Sequence, residues 1–179
     1  MIIGDGIRLR GIEREDLPLF ALWLNDPEVR RYLNHYAPIS NAQEERWFEQ
    51  TLQSPQAEQP LVIEVKQERD WIPVGNISFM ALDQQSHHAE LGLFIGDKNF
   101  WDKGIGTKAI SLMLDYGFFT LNLHRIYLRV FEANKRGIRC YEKVGFQHEG
   151  RLREASFLDG KYYDMLWMGI LRDEWRGMK

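Results

Sequence analysis

The stretch from Ala89 to Phe118 constrains the fold most strongly, because its hydrophobic period changes at a pair of glycines. Residues Ala89–Ile95 form an apolar run that predicts a buried strand. After Gly104 and Gly106, apolar residues recur every three to four positions, which predicts one face of a helix. A strand, a glycine turn and a helix N-terminus in this order predict an anion site. Glycine lets the backbone approach closely, and free N–H groups and the helix dipole favour negative charge.

The glycine turn predicts a phosphate or pyrophosphate ligand, and Lys103 and Lys108 add positive charge beside it. The turn does not match the dinucleotide fingerprint, which requires a third glycine where this chain has Ala109. The Walker pattern of phosphate-binding loops is absent as well. The rest of the chain is therefore needed to identify the phosphate compound.

The composition is that of one globular domain, which we predict to span residues 1–179. The chain is 44% hydrophobic and carries a net charge of −3, which argues against a general nucleic-acid surface. No apolar run approaches the ~20 residues that span a bilayer, and the N-terminus lacks the order of a signal peptide. The single cysteine, Cys140, suits a reducing compartment, so we expect a cytoplasmic protein without a membrane partner.

The order of elements predicts an α+β fold. Helices precede a meander of three strands, a crossover helix leads to a fourth strand, and a short helix precedes a final hairpin at Asp159-Gly160. The predicted strands after the early helices are 61–66, 74–82, 89–95 and 126–130, and the short helix is 134–144.

Two motifs in this frame resemble those of the GCN5-related N-acetyltransferases (GNAT), in the branch of the ribosomal-protein-alanine and spermidine acetyltransferases. The first is WDKGIG at 101–106, on the family's turn [Arg/Gln]-x-x-G-x-[Gly/Ala]. Trp101 stands there in the Arg/Gln position, and Asp102 places a negative charge beside it. The second and more specific motif is NKRGIRCYEKVGF at 134–146, which matches N-x-x-[small]-x-x-x-Y-x-K-x-G-F. The resemblance covers nearly the whole chain.

The resemblance implies a fold, a cosubstrate and a binding site. The fold is a mixed, mostly antiparallel sheet of about seven strands, with a splayed parallel pair at 89–95 and 126–130 and about four flanking helices. Acetyl-CoA would lie in the splay and donate its acetyl group to a primary amine of a small molecule or a protein N-terminus. The cofactor-binding residues would be Leu93, Phe94, Ile95, Lys103, Gly104, Ile105, Gly106, Thr107, Asn134 and Arg136.

Acetyl transfer requires a deprotonated amine, donors for the thioester oxygen and a donor for the leaving thiolate. The motif makes Tyr141 the candidate donor to the thiolate. Glu90 is the candidate base, and a structural ion pair is its alternative role. Asn134 is equally well explained as a helix N-cap. An acetyl-cysteine route through Cys140 is disfavoured, because adjacent helix residues point about 100° apart. No third ligand accompanies His88 and Glu90, so we expect no metal.

The acceptor amine stays open at this stage. The basic and aromatic segment 30–36 supplies no carboxylate for a polyamine, although other acidic residues could: Glu44, Glu45, Glu49, Glu154 and Asp164. A non-catalytic acetyl-CoA-binding regulatory module is the alternative function. A nucleotide-binding oxidoreductase is disfavoured by the missing third glycine. A homodimer is compatible with the sequence.

Overall fold

The computed structural model describes residues 1–33 and 35–177. Asn34, within the basic and aromatic segment, and residues 178–179 lie outside the described residues. In the described ranges the strands are β1 (Ile2–Gly4), β2 (Ile7–Gly11), β3 (Leu61–Gln67), β4 (Asp70–Asp83), β5 (His88–Ile95), β6 (Arg125–Phe131), β7 (Gln147–Leu158) and β8 (Lys161–Leu171). The α-helices there are α1 (Leu17–Asn25), α2 (Pro27–Arg30), α3 (Asn41–Thr51), α4 (Ile105–Asp115) and α5 (Lys135–Val144).

All eight strands belong to one sheet, in the order β1-β2-β3-β4-β5-β6-β8-β7. Every pair is antiparallel except β5 with β6, which are parallel. The two parallel strands pair only over His88–Glu90 and Arg125–Tyr127 and separate beyond Glu90. The expected α+β fold and its splayed pair are therefore confirmed, with one strand more than the sequence indicated.

The two faces of the sheet are covered by different helices. Along β5, Leu91 and Leu93 point toward the main apolar cluster, which includes α4 and part of α5. Phe94 points the opposite way and packs edge-on against Phe20 and Trp23 of α1. This alternation follows from the two-residue period of a strand. Because β5 and β6 separate beyond Glu90, the gap between them connects the two faces of the sheet.

Local sequence signals position the helices that border this gap. Gly104 adopts a left-handed conformation (φ +76°) and starts α4, while Gly145 (φ +114°) ends α5. Asn134 caps α5, because its Oδ1 accepts a hydrogen bond from Gly137 N at 2.9 Å. Ser40 and Gln43 form a capping box at the start of α3.

The structure differs from the sequence expectation at two elements. Strand β1 was missed because it has only three residues. The crossover helix α4 passes into a π-helical segment at Tyr116–Thr120, where Leu121 N donates to Tyr116 O. Gly117 lies in this segment, and an added Cβ would come within 2.8 Å of the Ile126 and Phe79 side chains. Within residues 1–33 and 35–177, no helix has the length and apolarity needed to cross a membrane.

Candidate active site

A cleft of about 690 Å³ opens where β5 and β6 separate. It is lined by the N-terminus of α4, the free edge of β5, one side of α5, and residues beyond α2. The candidate site residues that border it are Glu90, Leu93, Phe94, Ile95, Gly104, Ile105, Gly106, Thr107, Asn134, Arg136 and Tyr141. Lys103 does not border the cleft; its ammonium lies 5.8 Å from the centre of the Phe100 ring.

The N-terminus of α4 offers main-chain donors to this cleft. The first hydrogen bond of the helix runs from the N–H of Lys108 to Gly104 O, at 3.0 Å. The N–H groups of the three residues before Lys108 therefore have no partner within the helix. Gly106 has no side chain there, and an added Cβ would already contact Cys140 Sγ at 3.4 Å. Free N–H groups, a helix dipole and a glycine surface fit a pyrophosphate.

The free edge of β5 continues from this helix N-terminus. Leu93, Phe94 and Ile95 pair with β4 on one side, and the parallel pairing with β6 ends at Glu90 on the other. Main-chain groups on the open edge are therefore available to an extended ligand with amide groups, such as a pantetheine arm.

Trp101 was noted in the sequence only as a departure from the motif, yet it organises this end of the cleft. Its indole Nε1 donates to Ile95 O at 2.8 Å and so occupies the last carbonyl of β5. The Arg136 guanidinium lies 3.7 Å from the centre of the Trp101 ring. This cation–π contact holds a positive charge at the cleft mouth. The position of Trp101 in the glycine motif was the only sequence signal for this role.

Tyr141 lies on α5, packs against the main apolar cluster and lines the cleft. Its ring packs edge-on against Phe146, with 5.9 Å between ring centres. Burial raises the pKa of the Tyr141 phenol above its ordinary value, and the neighbouring Cys140 acts in the same direction once its thiol ionises. No group in the described part of the chain hydrogen-bonds to its hydroxyl, which leaves the hydroxyl available to a ligand.

Cys140, the neighbour of Tyr141 on α5, also borders the cleft. Its Sγ lies 3.4 Å from Thr107 Oγ1. Burial raises the pKa of the Cys140 thiol more than the Thr107 hydrogen bond lowers it. The thiol therefore stays protonated at neutral pH, which makes it a poor nucleophile.

Glu90 forms an ion pair with Arg129 of β6, which the sequence analysis did not single out. Arg129 Nε and Nη2 donate to the two carboxylate oxygens at 2.7 and 3.1 Å. The Glu90 side chain is 11% exposed and that of Arg129 is 45% exposed. The ion pair that the sequence analysis gave as the alternative role of Glu90 is therefore present. Its role as a base stays a prediction. The signal for Arg129 was its position on the polar face of β6, beside Tyr127.

The cleft has two halves, one on each face of the sheet. We call the cofactor half the wall made by α4, the open edge of β5 and α5. The acceptor half is formed by Tyr32, Leu33, Met80, Glu90, Arg129, Phe131 and Met165. Tyr32 and Phe131 close one side of it, with 6.0 Å between their ring centres. Glu28 also borders the cleft, and Lys98 donates to its carboxylate at 3.0 Å.

The acidic residues considered for a polyamine lie outside the cleft: Glu44, Glu45, Glu49, Glu154 and Asp164. Glu44 is buried, and burial raises the pKa of its carboxyl group. Glu45 and Glu49 pair with Arg14, and Asp164 pairs with Arg151. In the described ranges, no group of three or more His, Cys, Asp or Glu side chains could hold a metal ion.

Comparison with known proteins agrees with this geometry. The chain is 31% identical to an uncharacterized N-acetyltransferase, p20, of Bacillus licheniformis, over 97% of each chain. The crystal structure of spermidine N-acetyltransferase from Vibrio cholerae in complex with CoA and spermine superposes with a TM-score of 0.87 at 29% identity, covering 96% of this chain and 98% of that one. A dodecameric structure of that enzyme in an intermediate state has a TM-score of 0.80 at 30% identity, covering 95% and 96%.

The family assignment follows from the match to the acetyltransferase (GNAT) domain, which extends over residues 7–147. This range contains the glycine turn at α4 and both ends of α5. The chain therefore belongs to the GNAT family of acetyl-CoA-dependent N-acetyltransferases.

Proposed function

We propose that this chain transfers the acetyl group directly from acetyl-CoA to a primary amine, with Tyr141 and Glu90 as the reacting groups of the protein. One observation carries the proposal: a single cleft joins the N-terminus of α4 to both side chains across the gap between β5 and β6. Cofactor and acceptor can therefore meet in that gap from opposite faces of the sheet.

The cofactor half would bind the CoA portion mostly through the main chain. The N–H groups of Gly104 to Thr107 face the pyrophosphate, and the open edge at Leu93 to Ile95 pairs with the pantetheine amides. Main-chain N–H groups on that edge also donate to the thioester oxygen as it gains negative charge. Arg136 and Asn134 lie at the rim, where Arg136 presents positive charge to phosphate.

In the transfer step, the amine nitrogen bonds to the acetyl carbonyl carbon and the carbon–sulfur bond breaks. Tyr141 donates a hydrogen bond to the departing sulfur. A phenol of ordinary pKa is less acidic than a thiol by about 1.5 units, or ~2 kcal/mol. Burial raises the pKa of Tyr141 further, so a hydrogen bond stabilises the thiolate and water completes its protonation.

Glu90 would receive the proton that the amine loses. Its carboxylate accepts two hydrogen bonds from Arg129 and keeps further lone pairs for a water molecule or the amine. The two hydrogen bonds from Arg129 fix the position of the carboxylate, so its remaining lone pairs point to one place in the cleft.

An amine panel tests the proposal. Each amine is mixed with acetyl-CoA and the protein, and free CoA is detected by its thiol. Release that depends on both amine and protein supports the proposal. CoA binding by calorimetry without thiol release from any amine would favour a non-catalytic regulatory module.

We also propose that the chain is one domain that self-associates in the cytoplasm. Both apolar clusters pack on the same sheet, which supports a single domain. One of the two edge strands, β7, has twelve residues, and almost all of its side chains are exposed, which supports pairing in a homodimer. Size-exclusion chromatography with light scattering tests this, and a monomer at micromolar concentration contradicts it.

A further inference from the structure

The acceptor half of the cleft contains no unpaired carboxylate within the described residues. Glu90 is held by Arg129, and Glu28 by Lys98. The next residue to Tyr32, Arg31, does not line the cleft and pairs with the Asp159 carboxylate, 2.9 Å from its Nη2. A polyamine carries several positive charges and needs anionic partners when it leaves water. The acceptor half therefore offers little to a polycation.

Arg129 adds a cationic donor to the same surface. Its Nε and Nη2 donate to Glu90, while its Nη1 makes no hydrogen bond to any described residue. The side chain borders the cleft and is 45% exposed. The Arg129 guanidinium also lies over the Trp167 ring, 5.9 Å from the ring centre. A guanidinium held in this way presents a fixed N–H group to an oxygen acceptor.

We infer that Arg129 determines acceptor specificity, selecting amines whose neighbouring carbon carries a carbonyl or carboxylate oxygen and rejecting polyamines. The inference rests on the proposed function. An amine placed beside Glu90 brings an oxygen on its neighbouring carbon close to Arg129, because the two side chains are hydrogen-bonded to each other. A second ammonium group in the same place is repelled by the guanidinium.

The pKa values of the amines themselves favour the same acceptors. An α-amino group has a pKa of about 7.8, against ~10.4 for a simple alkylamine. Near neutral pH its neutral fraction is larger by a factor of roughly 400, since each pKa unit is tenfold. A free amino acid and a peptide N-terminus share this chemistry.

The test compares kcat/KM for five acceptors under saturating acetyl-CoA: alanine, alaninamide, a tripeptide with N-terminal alanine, butylamine and spermidine. Rates are divided by the neutral fraction of each amine, which removes the effect of pKa. We expect the best α-amino acceptor to exceed butylamine and spermidine by about tenfold to a hundredfold, the usual range for a hydrogen bond to a charged group. Alanine against alaninamide and the tripeptide separates a free amino acid from a peptide end.

Variants then assign this selectivity to Arg129. Arg129→Gln should remove most of the preference in corrected kcat/KM for α-amino acceptors over butylamine and spermidine. The control is Arg153→Gln, which changes an exposed arginine on β7 and should leave this preference unchanged. Since Arg129→Gln leaves Glu90 without its partner, a double variant Glu90→Gln/Arg129→Gln removes the pair together and should show the same loss of selectivity.

The outcomes distinguish a failure of the inference about Arg129 from a failure of the proposed function. Spermidine as the better corrected acceptor of the wild type overturns the inference alone. A selectivity ratio that survives in both Arg129 variants does the same. Absence of thiol release with all five amines overturns the proposed function and the inference together.

Discussion

The two halves of the cleft are built in different ways. The cofactor half comes from three short stretches of sequence, 93–95, 101–107 and 134–141, and presents mainly main-chain groups. The acceptor half is made of side chains from distant segments, such as Tyr32, Glu90 and Met165. Main-chain recognition depends on where glycines and caps stand, whereas side-chain recognition changes with single substitutions. The comparison suggests that substitutions in the cleft change which amine is accepted more readily than they change the binding of the cosubstrate.

The largest effect is expected at Tyr141, the proposed donor to the leaving sulfur, which lines the cleft from α5. Tyr141→Phe keeps the ring that packs on Phe146 and removes the hydroxyl. General-acid or hydrogen-bond assistance is worth ~10²–10⁴ in rate, so kcat should fall by that factor while CoA affinity is kept. The control is Tyr162→Phe, an exposed residue of the β7–β8 hairpin. A kcat within about twofold of wild type would mean that Tyr141 only packs.

A smaller effect is expected at the glycine turn of the cofactor half. Gly104 and Gly6 both have left-handed φ values (+76° and +70°), and an added Cβ would meet nothing within 4 Å at either. Alanine at each position should cost a similar ~1–2 kcal/mol of stability. Only Gly104→Ala should weaken CoA binding, by about tenfold in calorimetry, because it faces the ligand. Equal CoA affinities in the two variants would show that the glycine turn does not bind CoA.

Glu90→Gln should change the acceptor half without changing the cofactor half. At high pH the amine is already neutral and the variant should approach wild type. As the pH falls, more amine is protonated and the variant should lose up to about tenfold in kcat/KM. Glu149→Gln, which removes a carboxylate paired with Arg125 outside the cleft, is the matched control. A pH-independent loss would assign Glu90 a structural role.

The smallest change is expected in the alkaline part of the pH profile. The pKa of Tyr141 is raised, so its donating, protonated form persists as the pH rises past the ordinary phenol value of about 10. The wild-type kcat should therefore rise with pH to a plateau and hold it up to about pH 10. A descending limb that begins near pH 8 and disappears in Tyr141→Phe would contradict this.

The sequence predicted the helix ends that border the cofactor half, because the signals for them are local. A change of period at Gly104 marks the start of α4, and Asn134 and Gly145 mark the ends of α5 within one motif. Such signals depend on backbone conformation and on neighbours a few residues apart. They can therefore be recognised without knowledge of the sheet.

The acceptor half could not be predicted in the same way. The Glu90–Arg129 pair exists only because β5 and β6 are parallel neighbours in one register, with Glu90 opposite Tyr127. The sequence places the two strands side by side only through a family resemblance, and it gives no register. The hydrogen bond from Trp101 to Ile95 likewise depends on how the chain turns between β5 and α4.

The measurement that tests the two-part cleft most directly is CoA titration by calorimetry on two variants. Arg129→Gln changes only the acceptor half, and Gly106→Val places methyl groups at the N-terminus of α4. The account predicts a CoA Kd within about twofold of wild type for Arg129→Gln and weaker by at least about tenfold for Gly106→Val. A wild-type Kd in Gly106→Val, or an equal loss in Arg129→Gln, would contradict it.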